Sequence, residues 1–187
     1  MMTQGENHSI DLRSWLETLE KHGELRRISA EVDWREEIGA VARINLSLDG
    51  PGLLFENIRD HKHTRCTKFL TGTLGNRRQV CLLLGLPTDT PDKAIIQHLR
   101  ACYRRGIPPV EVATGPVKTH KLAGADLDLG EFPVPHWHHL DGGRFIDTFC
   151  GVVTRNPKSG QMNVGIYRGQ VIAPDKIGKL LIPTQHW

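Results

Sequence analysis

No apolar run in these 187 residues approaches the roughly 18–20 needed to cross a bilayer. The opening stretch "MMTQGENHSIDLRSW" has neither an apolar core nor a small-residue cleavage site. Neither a membrane span nor a secretory leader is therefore expected, and the cytoplasm is the default location. Cysteine is scarce: Cys66, Cys81, Cys102 and Cys150 stand 15, 21 and 48 positions apart, with no CxxC pair. That spacing argues against a zinc ribbon, and the compartment argues against a disulfide framework, so all four read as buried or free thiols. Aromatics make up 6% of the chain and the net charge is only +3, with basic pairs confined to stretches such as Arg26-Arg27 and Arg104-Arg105. A nucleic-acid surface carries a denser basic stripe with aromatic platforms, so no nucleic-acid partner is expected. GxGxxG, GxxxxGK[ST] and GxSxG are missing too, which removes the common phosphate loops and the nucleophile elbow.

What is present is ordinary globular sequence, 39% hydrophobic and 24% charged, long enough for one domain or two small ones. Leu12, Trp15, Leu16 and Leu19 recur at helical spacing, and Gly23 marks the stop of that first helix. "ELRRISAEV" reads as a strand. Asp33 followed by Glu36 gives a capping-box-like start to a second helix with Ile38, Val41 and Ala42 inward. "GPGLLFENI" reads as a turn into a short strand. A third helix starts near Pro91, turns Ile95, Leu99 and Cys102 inward, and ends at Arg104-Arg105-Gly106. Gly106, Pro108 and Pro109 then break the helical period. Beyond them the pattern is of short strands: "EVATG", "KTHKLAG", "FIDTFCGVVTR", "MNVGIYRGQVI" and "KIGKLLIP", with Asn156–Gly160 as a hairpin loop. The expected class is α+β, with a mixed α/β domain over 1–108 and a mostly β domain over 109–187.

Two constellations can carry chemistry. "VPHWHHLDGG" places His136, His138, His139 and Asp141 within six positions, on an extended and Pro/Gly-flanked segment. It is either a metal site or, the favoured reading, a set of hydrogen-bonding loop histidines. The second constellation runs from Asn163 to His186. An amide oxygen and a neutral imidazole are competent ligands for a hard or borderline divalent ion. Arg168 offers a planar fork of donors suited to a carboxylate or phosphate. On a regular strand Ile166 and Arg168 point one way and Asn163 the other, so a single site needs a bulge at Gly165. The bland alternative is a strand with an exposed Arg and a surface Asn.

"MNVGIYRGQVI" and "IPTQHW", 23 positions apart from Asn163 to His186, resemble the N-x-x-I-x-R and P-P-Q-H segments of the UbiD-like reversible decarboxylases, most closely the ferulic acid decarboxylase branch. "DLRSWLETLEKHGELRRISAEVDWREEI" and "GPGLLFENI" resemble that family's N-terminal domain. "FPVPHWHHLDGGRFIDTFCGVVTRNPKSG" resembles the start of its flavin-binding split β-barrel. The resemblance implies prenylated FMN as cofactor, with Mn2+ and often K+. It implies Asn163 and His186 as metal ligands, and Ile166 and Gln185 as residues lining the flavin. Arg168 would belong to a Glu–Arg–Glu catalytic network facing an aromatic or α,β-unsaturated carboxylic acid. It further implies that the third metal ligand and both catalytic glutamates lie beyond Trp187, so that this chain alone is inactive. The complete protein would be a homo-oligomer, or a partner chain would complete the site; a non-catalytic binding or assembly subunit is the alternative.

Overall fold

A computed structural model describes residues 11–108 and 110–185. The chain divides into two compact units, and it crosses between them repeatedly. One unit takes in the described residues through Ile28, Ile44–Leu54 and Leu70–Leu122; the other takes in Ser29–Arg43, Phe55–Phe69 and the chain from Ala123 onward.

In the first unit, α1 (Leu12–Lys21) begins where the Asp11 carboxylate accepts from Ser14 N at 2.9 Å and Ser14 Oγ accepts from Asp11 N, a reciprocal cap that satisfies two orphan amides. It buries Trp15 and Leu19 and ends before Gly23, whose φ of 72° is the left-handed stop expected of glycine there. The helix lies against β1 (Leu25–Ile28) and α3 (Arg77–Leu83). Strands β1, β2 (Gly52–Phe55) and β3 (Phe69–Thr71) form a sheet in that order, with β2 buried along its whole length. Neither β3 nor α3 is evident from hydrophobic period, because both are short. The cap of α3 is nevertheless written in the sequence: Asn76 Oδ1 accepts from Gln79 N while Gln79 Oε1 accepts from Asn76 N. This corner is pinned by a buried carboxylate. Glu24 accepts from Asn76 Nδ2 at 2.9 Å and from Arg78 Nε at 2.5 Å, and Arg78 also reaches Asp49. The bonds to Glu24 and then to Asp49 hold the Arg78 guanidinium still more firmly in its charged form.

The helix expected near Pro91 is α4 (Asp92–Tyr103). Of its three expected inward residues only Ile95 is buried; Leu99 is 45% exposed and Cys102 is exposed. Period identifies a helical face but cannot say how much of that face is covered. All four cysteines are free thiols, as expected.

Helix α2 (Glu37–Ser47) starts only after the Asp33–Glu36 box expected to open it, and it is the Glu37 carboxylate that accepts from Asp33 N, at 2.6 Å. Glu36 instead takes a positive φ of 65°. Val32, Ile38, Ile58, Val134 and Tyr167 are buried in the second unit, beside an aromatic run from Phe55 through Phe69 to Trp137. Gly39 abuts the Trp137 backbone carbonyl so closely that no Cβ fits.

The strands expected at "EVATG" and "KTHKLAG" are not formed. Residues 110–131 instead carry three single turns of 3-10 helix, Pro116–Lys118, Gly124–Asp126 and Leu129–Glu131. Pro116 at a first-turn position and the Asp128 carboxylate accepting from Gly130 N favour such turns over a ladder. Two antiparallel hairpins follow, β4 (Val152–Arg155) with β5 (Met162–Gly165), and β6 (Gln170–Ala173) with β7 (Lys176–Gly178). The architecture is thus a mixed α+β fold with small sheets.

Candidate functional site

The β4–β5 loop is built on Asn156, whose Oδ1 accepts from Lys158 N at 2.8 Å and Ser159 N at 3.1 Å, with Gly160 at φ 72° returning the chain. This turn sets a regular register that pairs Thr154 with Asn163 and Val152 with Gly165. Asn163 is half-buried. Its side-chain Nδ2 is buried and has no hydrogen-bond partner, the only such side-chain atom among the described residues. An orphaned buried amide is costly, so it marks a position shaped for something further.

Past Gly165 the chain leaves the ladder but exposure still alternates: Tyr167 and Gly169 are buried, while Ile166 is 62% exposed and Arg168 is exposed. Ile166 and Arg168 therefore share one side and Asn163 the other, as alternation predicts. No bulge intervenes at Gly165; the register irregularity falls instead in β6, between Val171 and Ala173. The Arg168 guanidinium lies 5.6 Å from the centroid of the Phe145 ring, and no carboxylate among the described residues pairs with it. Gln185 is exposed and occupied locally, its Oε1 accepting from Ile182 N at 3.2 Å. No hydrogen bond among the described residues joins it to Asn163, Ile166 or Arg168. His186 lies outside the described residues.

The histidine loop is tied up by hydrogen bonds. His136 Nε2 reaches the Asp141 carbonyl at 3.0 Å, the Asp141 carboxylate accepts from His138 N, and His139 Nδ1 stands 3.3 Å from Glu36 Oε1. Among the described residues no group of three His, Cys, Asp or Glu side chains is arranged to hold a metal.

Two clusters escaped the sequence reading. In the first, Arg144 donates to the carbonyls of Val134 (2.7 Å) and Phe132 (3.0 Å), and its guanidinium lies 4.3 Å from the Trp34 ring, which also carries Arg35 at 4.7 Å. Its remaining contact is His61 Nε2 at 3.4 Å; His61 itself is only 3% exposed. Burial, and secondly the Arg144 charge, push the His61 imidazole below its ordinary pKa, so the ring is neutral and accepts at Nε2. In the second, Lys179 Nζ pairs with the Asp147 carboxylate and donates to the Tyr167 carbonyl at 3.0 Å. Both clusters join residues far apart in sequence, so no local spacing announces them.

Residues 16–99 match the family model of the 3-octaprenyl-4-hydroxybenzoate carboxy-lyase N-terminal domain, and residues 109–187 match that of the Rift-related domain of the same enzymes. The chain belongs to the UbiD family. A ferulic acid decarboxylase of Candida dubliniensis is 34% identical over 96% of the chain. The vanillic acid decarboxylase of Sedimentibacter hydroxybenzoicus, in open form, superimposes with a TM-score of 0.82 at 31% identity over 90% of the chain. An evolved dimeric form of the UbiD-class enzyme HmfF from Pelotomaculum thermopropionicum, in complex with prenylated FMN, gives 0.79 at 32% identity over 95%. The chain spans only 38%, 37% and 39% of these three proteins respectively.

Proposed function

We propose that this chain is the N-terminal part of a non-oxidative, reversible decarboxylase of aromatic or α,β-unsaturated carboxylic acids that uses prenylated FMN and Mn2+, with K+ as an accessory ion. The observation that carries this reading is the buried, unpartnered amide of Asn163, standing where a UbiD-family chain has the first residue of its N-x-x-I-x-R segment. The residues present fit the group. An amide oxygen is a competent ligand for a hard cation, and the buried, unpartnered Nδ2 of the same side chain is a donor that a phosphate oxygen would satisfy. In this reading residues 1–108 are the N-terminal domain and 109–187 the first part of a split β-barrel.

Asn163 and His186 would hold the metal, and Ile166 and Gln185 would line the flavin. Prenylated FMN, when bound, supplies the electron sink that decarboxylation requires. Arg168 orients the substrate carboxylate by two-point hydrogen bonding and keeps a neighbouring glutamate ionised. Its exposure and its freedom from any carboxylate among the described residues leave its donors available for both tasks.

Titration of the chain with FMN, with and without Mn2+, tests the reading. FMN binding is expected to tighten in Mn2+, and Asn163→Leu is expected to abolish that tightening. Metal-independent FMN uptake, identical in the variant, would remove Asn163 from the metal site. Because the chain spans little more than a third of its relatives, a second reading has it acting as a subunit whose partner supplies the missing acid/base groups. Intact mass of the natural polypeptide separates the two.

A further inference from the structure

Arg168 is exposed, yet its backbone is held from both sides. On one side, Lys179 Nζ donates to the Tyr167 carbonyl at 3.0 Å while paired with the Asp147 carboxylate; the Lys and Asp side chains are 17% and 24% exposed. On the other, Ile146 N donates to the Gly169 carbonyl at 2.9 Å. Gly169 is buried in a space closed by Ile177, Asp147 and Lys179: a Cβ there would stand 2.7 Å from Asp147 Oδ2 and 3.2 Å from Lys179 Nζ. Val171 N donates to the Arg144 carbonyl, and Phe145 bridges to Gln170, so residues 144–146 run beside residues 169–171. That alignment sets the Phe145 ring under the Arg168 guanidinium.

We infer that the Asp147–Lys179 pair is the positioning device for Arg168. The pair joins the segment bearing Phe145 to the peptide on the N-terminal side of Arg168, and so seats the guanidinium on the ring before any substrate arrives. Ordering the arginine in advance removes an entropy cost from carboxylate recognition. The pair does this without adding net charge beside the guanidinium, since the ammonium and carboxylate compensate one another. The inference rests on the role proposed above for Arg168.

The test reads the arginine directly and needs no flavin. In NMR spectra of the full chain, the Arg168 side-chain signals are assigned by their loss in Arg168→Lys. They are expected to be displaced by the Phe145 ring current, and the displacement is expected to vanish in Phe145→Leu. In Lys179→Met the displacement should collapse while signals of Val152–Arg155 and Met162–Gly165 stay in place, and Lys179→Arg should restore it. An undisplaced Arg168 in the unsubstituted chain, or a displacement retained in Lys179→Met, overturns the inference. Should Lys179→Met disturb the hairpin as well, Asp147→Ala, which leaves the lysine in place but cuts its link to the segment bearing Phe145, decides by the same criterion. FMN titration of the same variants reports separately. A chain that fails to bind FMN but behaves as expected by NMR refutes the flavin reading and leaves the positioning device standing. The converse result refutes the device alone.

Discussion

His61 shows what burial does to one titratable side chain. Its ring is 3% exposed, Thr64 Oγ1 lies 3.4 Å from Nδ1, and the Arg144 guanidinium faces Nε2. With Nε2 accepting from the guanidinium, the proton sits on Nδ1, and a second proton has no acceptor and meets a cation. The folded state therefore binds this proton less readily than the unfolded chain, whose histidine titrates near 6.5. Where the unfolded state binds more protons, stability rises with pH. The contribution from His61 is fully present above the unfolded value and is lost as pH falls toward the depressed folded value. Denaturant unfolding at about pH 7 and about pH 5 should show a drop in stability on acidification that is smaller in His61→Gln; an equal drop in both would assign the acid sensitivity elsewhere. At Arg168, the role proposed above predicts that truncation to Ala, made in a full-length protein carrying this chain, cuts decarboxylation by roughly two to three orders of magnitude while leaving most of the flavin bound. Flavin lost with turnover per bound flavin preserved would contradict that role. The identity of Arg168 and Asn163 as candidates was readable from residue type and spacing. The orphaned state of the Asn163 amide was not, because it depends on what the rest of the chain fails to place beside it.

At the scale of elements, capping chemistry is the strongest link between sequence and structure. Asp11 with Ser14, and Asn76 with Gln79, each satisfy two helix amides reciprocally, and both helices begin there. Residues 110–131 illustrate the opposite. Their Gly, Pro and Asp residues favour local turns, and β-propensity in between had no partner strand to make it count. Close approach of elements gives a sharp prediction. Gly39 of α2 has no space for a Cβ because the Trp137 carbonyl fills it, so Gly39→Ala forces backbone displacement. A loss of about 1–3 kcal/mol is expected in urea unfolding, despite the better helix propensity of alanine. A variant as stable as the parent would mean that α2 and the 136–139 loop can part at little cost. Truncating Leu19, which is fully buried in α1, should cost about 2–5 kcal/mol by the same measurement.

For the whole molecule, membership of the UbiD family and a match spanning only 38% of a curated relative frame what activity to expect. Among the described residues the candidate site offers an amide, a guanidinium and apolar surface, and Arg168 meets no carboxylate. Acid/base chemistry needs a proton-carrying group within hydrogen-bond reach of the reacting atom. The chain supplied with prenylated FMN and Mn2+ is accordingly expected to release no CO2 from cinnamic-type or aromatic acids, as followed by product chromatography. Turnover by the chain alone would show that these 187 residues suffice for the reaction. No helix among the described residues is long and apolar enough to cross a membrane.

By itself the sequence determined whatever depends on neighbours in the chain. Apolar period placed α1, the same period with Pro91 ahead of it placed α4, Asx and glycine chemistry made the Asn156–Gly160 turn, and the order of short motifs identified the family. Those signals are local because they arise from hydrogen bonds and side-chain spacing within a few residues. Tertiary structure alone decided which polar groups lost water. It buried Glu24 against Arg78, neutralised His61 beneath Arg144, left Asn163 Nδ2 without a partner among the described residues and set Lys179 on the carbonyl before Arg168. The contacts of Glu24 with Arg78, His61 with Arg144 and Lys179 with Asp147 join residues dozens of positions apart, and the cost or gain of desolvation exists only once the chain has folded.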